Sequence, residues 1–312
     1  MSYIRSEFTF TSSDGKNTVY AVKFVPCDRP VRAVIQISHG MIDYIDRYTS
    51  VAEYFTERGF AVAGNDHLGH GRTAASADDL GYFAKAGGRE LVISDLYKMN
   101  RLLREEYPDT PLILMGHSMG SFLARIYAVK HPETIDALII HGTGGKNPML
   151  AMGKAVISLL TKIYGDRHRS KLVNALAFGS YNSKFPKSEG ENAWLTRDVG
   201  RVACRQTDPY TSYTFTLSGY ADLFGMLGEC NSAEWYANYP KNMPTLVISG
   251  EMDPVGDFGK GVREVYSGLC SRGVENLTLK TYPDCRHELF NEYNSDEVFS
   301  DMLAFLEKVI SE

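Results

Sequence analysis

"LILMGHSMGSFLARIY", residues 112–127, opens as an unbroken apolar run, bends at two glycines, and continues with helical spacing. The pattern predicts a buried strand over 111–116 and a helix over 119–130, with Ser118 at the bend between Gly116 and Gly120. The glycines have a steric purpose. A sharp strand-to-helix turn brings backbones together where a Cβ would collide. A helix starting directly behind Ser118 also aims free N–H groups and a positive dipole end at the bend. Alone, the five-residue pattern is weak, because serine is also an ordinary helix N-cap. The rest of the chain has to decide.

Around this stretch, short β-branched or apolar runs alternate with helical segments. "AVIQIS" (33–38), "FAVAGND" (60–66) and "DALIIHG" (136–142) read as strands, with helices over 49–58 and 88–106, the latter with Leu91, Leu96, Leu102 and Leu103 among its apolar positions. Asp14-Gly15 joins two alternating runs near the N-terminus as a hairpin. After an interruption the alternation resumes with a strand over 243–250, a helix over 257–272, the strand "LTLKTY" (277–282) and a helix over 295–310. Such alternation implies right-handed crossovers and a mainly parallel α/β sheet with helices on both faces. Residues 1–145 and 241–312 form the two parts of this core. Residues 146–240, lacking a convincing buried strand, form a mostly helical cap insertion.

In an open α/β sheet, ligands gather beyond the carboxyl ends of the strands. Ser118, Asp253 and His287 each follow a predicted strand, in the order Ser, Asp, His. A serine hydroxyl becomes a useful nucleophile when an imidazole accepts its proton, and an acid on the other ring nitrogen fixes the tautomer. Asp257 lies four positions beyond Asp253 and is the rival for the acid. The chemistry also needs donors for the developing oxyanion. The backbone N–H of Met119 is one candidate, and that of Met41, in the loop after 33–38, is the other. His39, His67, His70 and His117 share this sheet edge and read as structural hydrogen-bonders. Cys285, two residues before His287, reads as a small, partly buried residue.

Five motifs, "HGMIDYIDRY", "NDHLGHGRT", "GHSMGS", "SGEMDPVG" and "CRHEL", together resemble the monoacylglycerol lipase and lysophospholipase group of the α/β-hydrolase family. The resemblance runs from about residue 32 to 310 and is weakest in the insertion. It implies a serine esterase with a helical cap over an acyl pocket and no cofactor, and no metal-ligand spacing is visible in the sequence. It carries over Ser118, Asp253 and His287 as triad, with Met41 and Met119 as oxyanion donors. The family's early loop usually reads His-Gly-x-x-Glu-His-x-x-Arg-Tyr. Here Asp43-Tyr44 stands in place of Glu-His, while Arg47 and Tyr48 are kept, so a shortened bridge from the loop to Arg47 is expected. The resemblance implies a small-molecule ester or lipid with one acyl chain as substrate. An amidase, an aminopeptidase, a perhydrolase, or a ligand-binding receptor on the same scaffold are the alternatives.

Composition limits the partners. The net charge of −5 gives no attraction to nucleic acid, and no nucleic-acid motif is visible. The five cysteines are scattered and odd in number, as suits a reducing compartment. With no signal-like N-terminal segment and no bilayer-length apolar run, the expectation is a cytoplasmic protein. Residues 146–171 nonetheless hold six basic residues against Asp166 alone, a local +5 within the −5 total. There "AMGKAVISLLTKIYG" spaces Met152, Val156, Leu159, Leu160 and Ile163 like a helix stripe. The first expectation is a stripe turned inward over the pocket, with lysines in water. The second is a basic, apolar lip making weak membrane-surface contact.

Overall fold

The computed structural model describes residues 3–311. Its strands are β1 (Tyr3–Thr11), β2 (Thr18–Pro26), β3 (Ala33–Ser38), β4 (Phe60–Asn65), β5 (Leu112–His117), β6 (Ala137–His141), β7 (Thr245–Gly250) and β8 (Leu277–Tyr282). They form one sheet in the order β1-β2-β4-β3-β5-β6-β7-β8. β1 and β2 are the antiparallel hairpin, β2 pairs antiparallel with β4, and β4 through β8 run parallel. The central strands β3 to β7 are buried at every position, which explains their continuous apolar runs.

The described residues form ten helices: α1 (Thr49–Thr56), α2 (Gly88–Glu106), α3 (Met119–Lys130), α4 (Leu150–Tyr164), α5 (Lys171–Phe178), α6 (Val199–Thr207), α7 (Leu217–Cys230), α8 (Ala233–Asn238), α9 (Lys260–Cys270) and α10 (Ser295–Ser311). Alternate residues of each strand feed two cores. Val34, Leu112 and Leu114 pack with α2, α3 and α9, while Ile35, Ile113 and Met115 pack with α1 and α10. On α2, Leu96 and Leu103 are buried but Leu102 stays partly exposed, since adjacent residues of a helix cannot share one face.

Between β6 and β7 the chain is helical. α7 packs against α2, α3 and α4, and α8 packs against α3. Arg125 of α3, which is fully buried, ties the start of this insertion to the end of α7. Its guanidinium donates to Thr143 Oγ1 (3.2 Å) and the Gly144 carbonyl (3.1 Å) at one end, and to the Cys230 carbonyl and Asn231 Oδ1 (3.0 Å) at the other. The indole of Trp235 lies 4.4 Å from it.

α4 departs from the inward-stripe expectation. Ile157 is its buried residue, with Val156 and Leu160 half-buried beside it. Met149, Met152, Leu159 and Ile163 are half or more exposed, as are Leu172 and Leu176 of α5. The reason lies at Gly153. Its missing side chain lets Phe224 of α7 come so close that any Cβ would collide with the ring, which sets the buried face. With an apolar row on each side of the helix, one row is left to face outward.

Candidate active site

Ser118 joins β5 to α3 with φ 54° and ψ −121°, a backbone setting that costs a non-glycine residue about 1–3 kcal/mol. The surroundings enforce it. A Cβ at Gly116 would approach Ala124 Cβ to 2.7 Å, and one at Gly120 would approach the His39 carbonyl oxygen to 2.5 Å. The Ser118 N–H donates to the His141 carbonyl at 2.9 Å, tying the bend to the end of β6.

Asp253 and His287 follow β7 and β8, as the strand pattern requires. The Met252 N–H donates to the Cys285 carbonyl at 2.9 Å, which holds the two loops together. His287 Nδ1 lies 2.9 Å from Asp253 Oδ2, and both side chains are almost fully buried. Asp253 Oδ1 accepts the Val255 N–H at 2.8 Å. Asp257 points away into solvent, 3.7 Å from Lys260 Nζ. The His287 ring lies between His117 and Trp194, with centroids at 4.8 and 5.1 Å.

The loop after β3 closes the other side. A Cβ on Gly40 would lie 3.2 Å from Ser118 Cβ, so Met41 follows directly on the loop's contact with the bend. Met119 is the first residue of α3, where N–H groups lack intrahelical acceptors. Ile42 has φ 53°, an outlier for a β-branched residue.

Asp43 and Tyr44 account for the altered loop motif. Arg47 Nη1 bonds Asp43 Oδ1 at 2.7 Å and Arg47 Nη2 bonds Glu288 Oε2 at 2.9 Å, so the shortened bridge is formed. Tyr48 Oη donates to Asp43 Oδ2 at 2.9 Å and lies 3.1 Å from His117 Nδ1. Tyr44 Oη donates to Asp208 in the insertion at 2.7 Å. Burial by itself would raise Asp43 and Glu288, but Arg47 and its neighbours hold Asp43 well below the usual carboxylate range and Glu288 at about 2. Arg47 is pushed above its ordinary value by these two carboxylates, against its own burial. Burial and the proximity of Arg47 lower Arg205.

The other histidines sit as structural hydrogen-bonders. His39 Nε2 accepts the His67 N–H at 2.9 Å, His67 Nε2 lies 3.0 Å from Ser38 Oγ, and His70 Nδ1 lies 3.0 Å from the Leu68 carbonyl. Burial lowers His39 to about 4 and His70 to about 3, so both rings are neutral near pH 7. Cys285 is buried, with Arg197 and Asn294 at its sulfur.

Sequence reasoning missed Trp194, Arg205 and Glu288. Backbone bonds from His287 N to the Trp194 carbonyl (3.4 Å) and from Glu288 N to the Leu195 carbonyl (2.7 Å) fasten the insertion to the histidine loop. Glu288 adjoins His287 in "CRHEL" and was open to suspicion; nothing in the sequence pairs it with residue 47 or 205.

Sheet order, bend and loops define an α/β hydrolase. The family model described as "Serine aminopeptidase, S33" matches residues 29–294, and the chain belongs to that family. Within it, the chain falls in the monoacylglycerol lipase group. It is 27% identical to a monoacylglycerol lipase of Mycolicibacterium smegmatis over 311 residues, covering 98% of both chains. It is 24% identical to a monoglyceride lipase of Rattus norvegicus over 266 residues, covering 84% of this chain and 77% of the relative. Among solved structures, a thermostable carboxyl esterase from Bacillus coagulans in complex with glycerol superposes with a TM-score of 0.92 at 30% identity, covering 98% of this chain and 99% of that one.

Proposed function

We propose that the protein hydrolyses carboxylic esters bearing a single acyl chain, of monoacylglycerol or lysophospholipid type, through an acyl-enzyme on Ser118. The observation carrying this is the buried Asp253–His287 hydrogen bond at the sheet edge where Ser118 occupies its strained bend. His287 Nε2 takes the proton as Ser118 Oγ attacks the ester carbonyl, and Asp253 stabilises the imidazolium. The N–H groups of Met41 and Met119 receive the oxyanion. Collapse breaks the ester bond, and His287 returns the proton to the departing alcohol. A water molecule, deprotonated by the same imidazole, then releases the acid and restores Ser118. Every proton passes through one ring, and no cofactor is required.

Residues 146–240 act as the cap. Its inner row, Val156, Ile157 and Leu160, covers the acyl chain. Its outer row, flanked by Lys154, Lys162 and Lys171, meets anionic lipid surfaces, where apolar contact and charge attraction add. This supports lipid over peptide substrates, despite the family's description. Among the described residues, no helix is long and apolar enough to cross a membrane. The unpaired cysteines, two of them buried thiols, support a reducing, cytoplasmic setting.

The test is labelling by a fluorophosphonate, followed by matched ester and amide substrates of increasing acyl length. Labelling lost in Ser118→Ala, with ester turnover dominant, is expected. Labelling elsewhere refutes the serine mechanism. Dominant amide turnover identifies an amidase, and labelling without turnover a receptor.

A further inference from the structure

α6 is a polar helix on the outside of the cap, yet two of its residues turn inward one helical turn apart. Val202 is buried, and the Arg205 side chain is only 10% exposed. Arg205 reaches out of the cap into the core. Its Nη2 donates to the Ile42 carbonyl at 2.8 Å, and its Nη1 bonds Glu288 Oε1 at 3.2 Å. One planar guanidinium thus touches the loop that carries Met41 and the residue after His287.

The Ile42 contact is unusual. At φ 53° this β-branched residue is held in a left-handed setting that it would leave if free. The Met41 N–H belongs to the Gly40–Met41 peptide and the Ile42 carbonyl to the Ile42–Asp43 peptide, so the two are linked through the dihedrals of Met41 and Ile42 with one peptide group between them. A relaxation of Ile42 toward negative φ has to be absorbed on its Met41 side, where the loop adjoins the Ser118 bend through Gly40. The Gly40 and Tyr44 N–H groups of the loop donate to the Asp43 carboxylate rather than to that carbonyl. The fork of Arg205 also fits its second partner, since Glu288 is bonded through its other oxygen to Arg47, which returns to Asp43. The result is a charge-balanced chain of Asp43, Arg47, Glu288 and Arg205, closed into a ring by the Ile42 carbonyl beside Asp43, that binds cap, oxyanion loop and histidine loop. A tyrosine reinforces it from the same side, where Tyr44 Oη bonds Asp208 just past the end of α6.

We propose that Arg205 is a positioning residue, a cap side chain that holds the strained Ile42 peptide and thereby aims the Met41 N–H at the reacting oxygen. The proposal rests on reading Ser118 as nucleophile. The cap therefore has two separable duties: its apolar face selects the acyl chain, and Arg205 sets the rate for every ester.

The two duties leave different kinetic signatures. Arg205→Met and Arg205→Lys are compared with Leu160→Asp on soluble esters from acetate to long acyl chains. Lysine keeps the charge but lacks the fork that reaches two acceptors at once. Both Arg205 variants are expected to lose about 10- to 100-fold in kcat, equally at all acyl lengths, with KM nearly unchanged. An alkyl boronic acid, whose adduct places an oxygen where the oxyanion forms, should bind more weakly by a similar factor. Guanidinium ion should restore part of the activity of Arg205→Ala. A loss that scales with acyl length, a change confined to KM, or boronate affinity left intact would overturn the proposal. Should Arg205→Ala not fold, Arg205→Lys and Arg205→Met carry the test. Fluorophosphonate labelling of Ser118 in the wild-type protein separates failure of this idea from failure of the serine mechanism.

Discussion

Asp253→Asn replaces a buried carboxylate by an isosteric amide, and the structure dictates how that amide must sit. The Val255 N–H donates to Asp253 Oδ1 at 2.8 Å, so the amide oxygen takes that place and the amide nitrogen faces His287 Nδ1. Two N–H donors cannot share one line. The ring is driven to carry its proton on Nε2, where it can no longer accept the proton of Ser118. The lost attraction can be sized from the 2.9 Å separation. At an effective dielectric of about 20 a full charge pair at that distance is worth about 6 kcal/mol, falling to about 4 when the spread charges are centred about 4 Å apart. At about 1.4 kcal/mol per decade, kcat should fall about 10³- to 10⁴-fold, with little change in KM. The assay is hydrolysis of p-nitrophenyl butyrate between about pH 6 and 9, with thermal unfolding as the control for folding. A folded variant within tenfold of wild type would refute the reasoning, as would an equal loss in Asp257→Asn.

Ser118→Gly should abolish turnover and labelling while raising stability by about 1–2 kcal/mol, because glycine tolerates φ 54°; a lower Tm would contradict the strain. The Glu288 carboxylate lies at about 2 against an ordinary 4.5, so its stabilisation of about 3 kcal/mol is complete above pH 4.5 and lost as pH falls toward 2. The Tm gap between wild type and Glu288→Gln should close over that window, and a gap that does not change with pH would exclude it. Leu159→Asp with Ile163→Asp should weaken binding to phosphatidylglycerol vesicles about tenfold or more and spare soluble butyrate esters; unchanged sedimentation with vesicles would remove the surface-contact reading. Leu160→Asp should lower kcat/KM progressively with acyl length, since each buried methylene contributes about 0.8 kcal/mol; equal losses on acetate and long-chain esters would speak against an acyl-covering role.

Local chemistry explains what the sequence made legible. Helices α2 and α3 and strands β3 and β8 have the expected bounds, because apolar period and flanking breaker residues agree there. Asp253 was preferable to Asp257 for its closeness to β7, and it is the one that meets His287. The ring of residues 43, 47, 205 and 288 was out of reach. Its members lie on two separate loops and a helix of the insertion, and Arg205 is surrounded in sequence by exposed residues such as Arg201 and Gln206. A charged residue on a polar helix gives no sign that it turns inward. α4 was ambiguous for a related reason: with apolar residues on both faces, periodicity does not say which row is buried, and the deciding residue, Gly153, acts through Phe224, some 70 positions away.

Arg125 gives the insertion the character of a cassette. One guanidinium grips the carbonyls of Gly144 and Cys230, so the chain leaves and re-enters the core at a single clasp. Whatever is spliced between those residues starts and finishes at the same point, and lengthening it costs only loop-closure entropy, about 0.6 kcal/mol per doubling. New acyl preferences can therefore be explored by exchanging the segment wholesale, without reshaping the bend at Ser118. The exchange has one condition: a transplanted cassette has to bring its own hand to the Ile42 carbonyl, or it will choose substrates well and turn them over slowly.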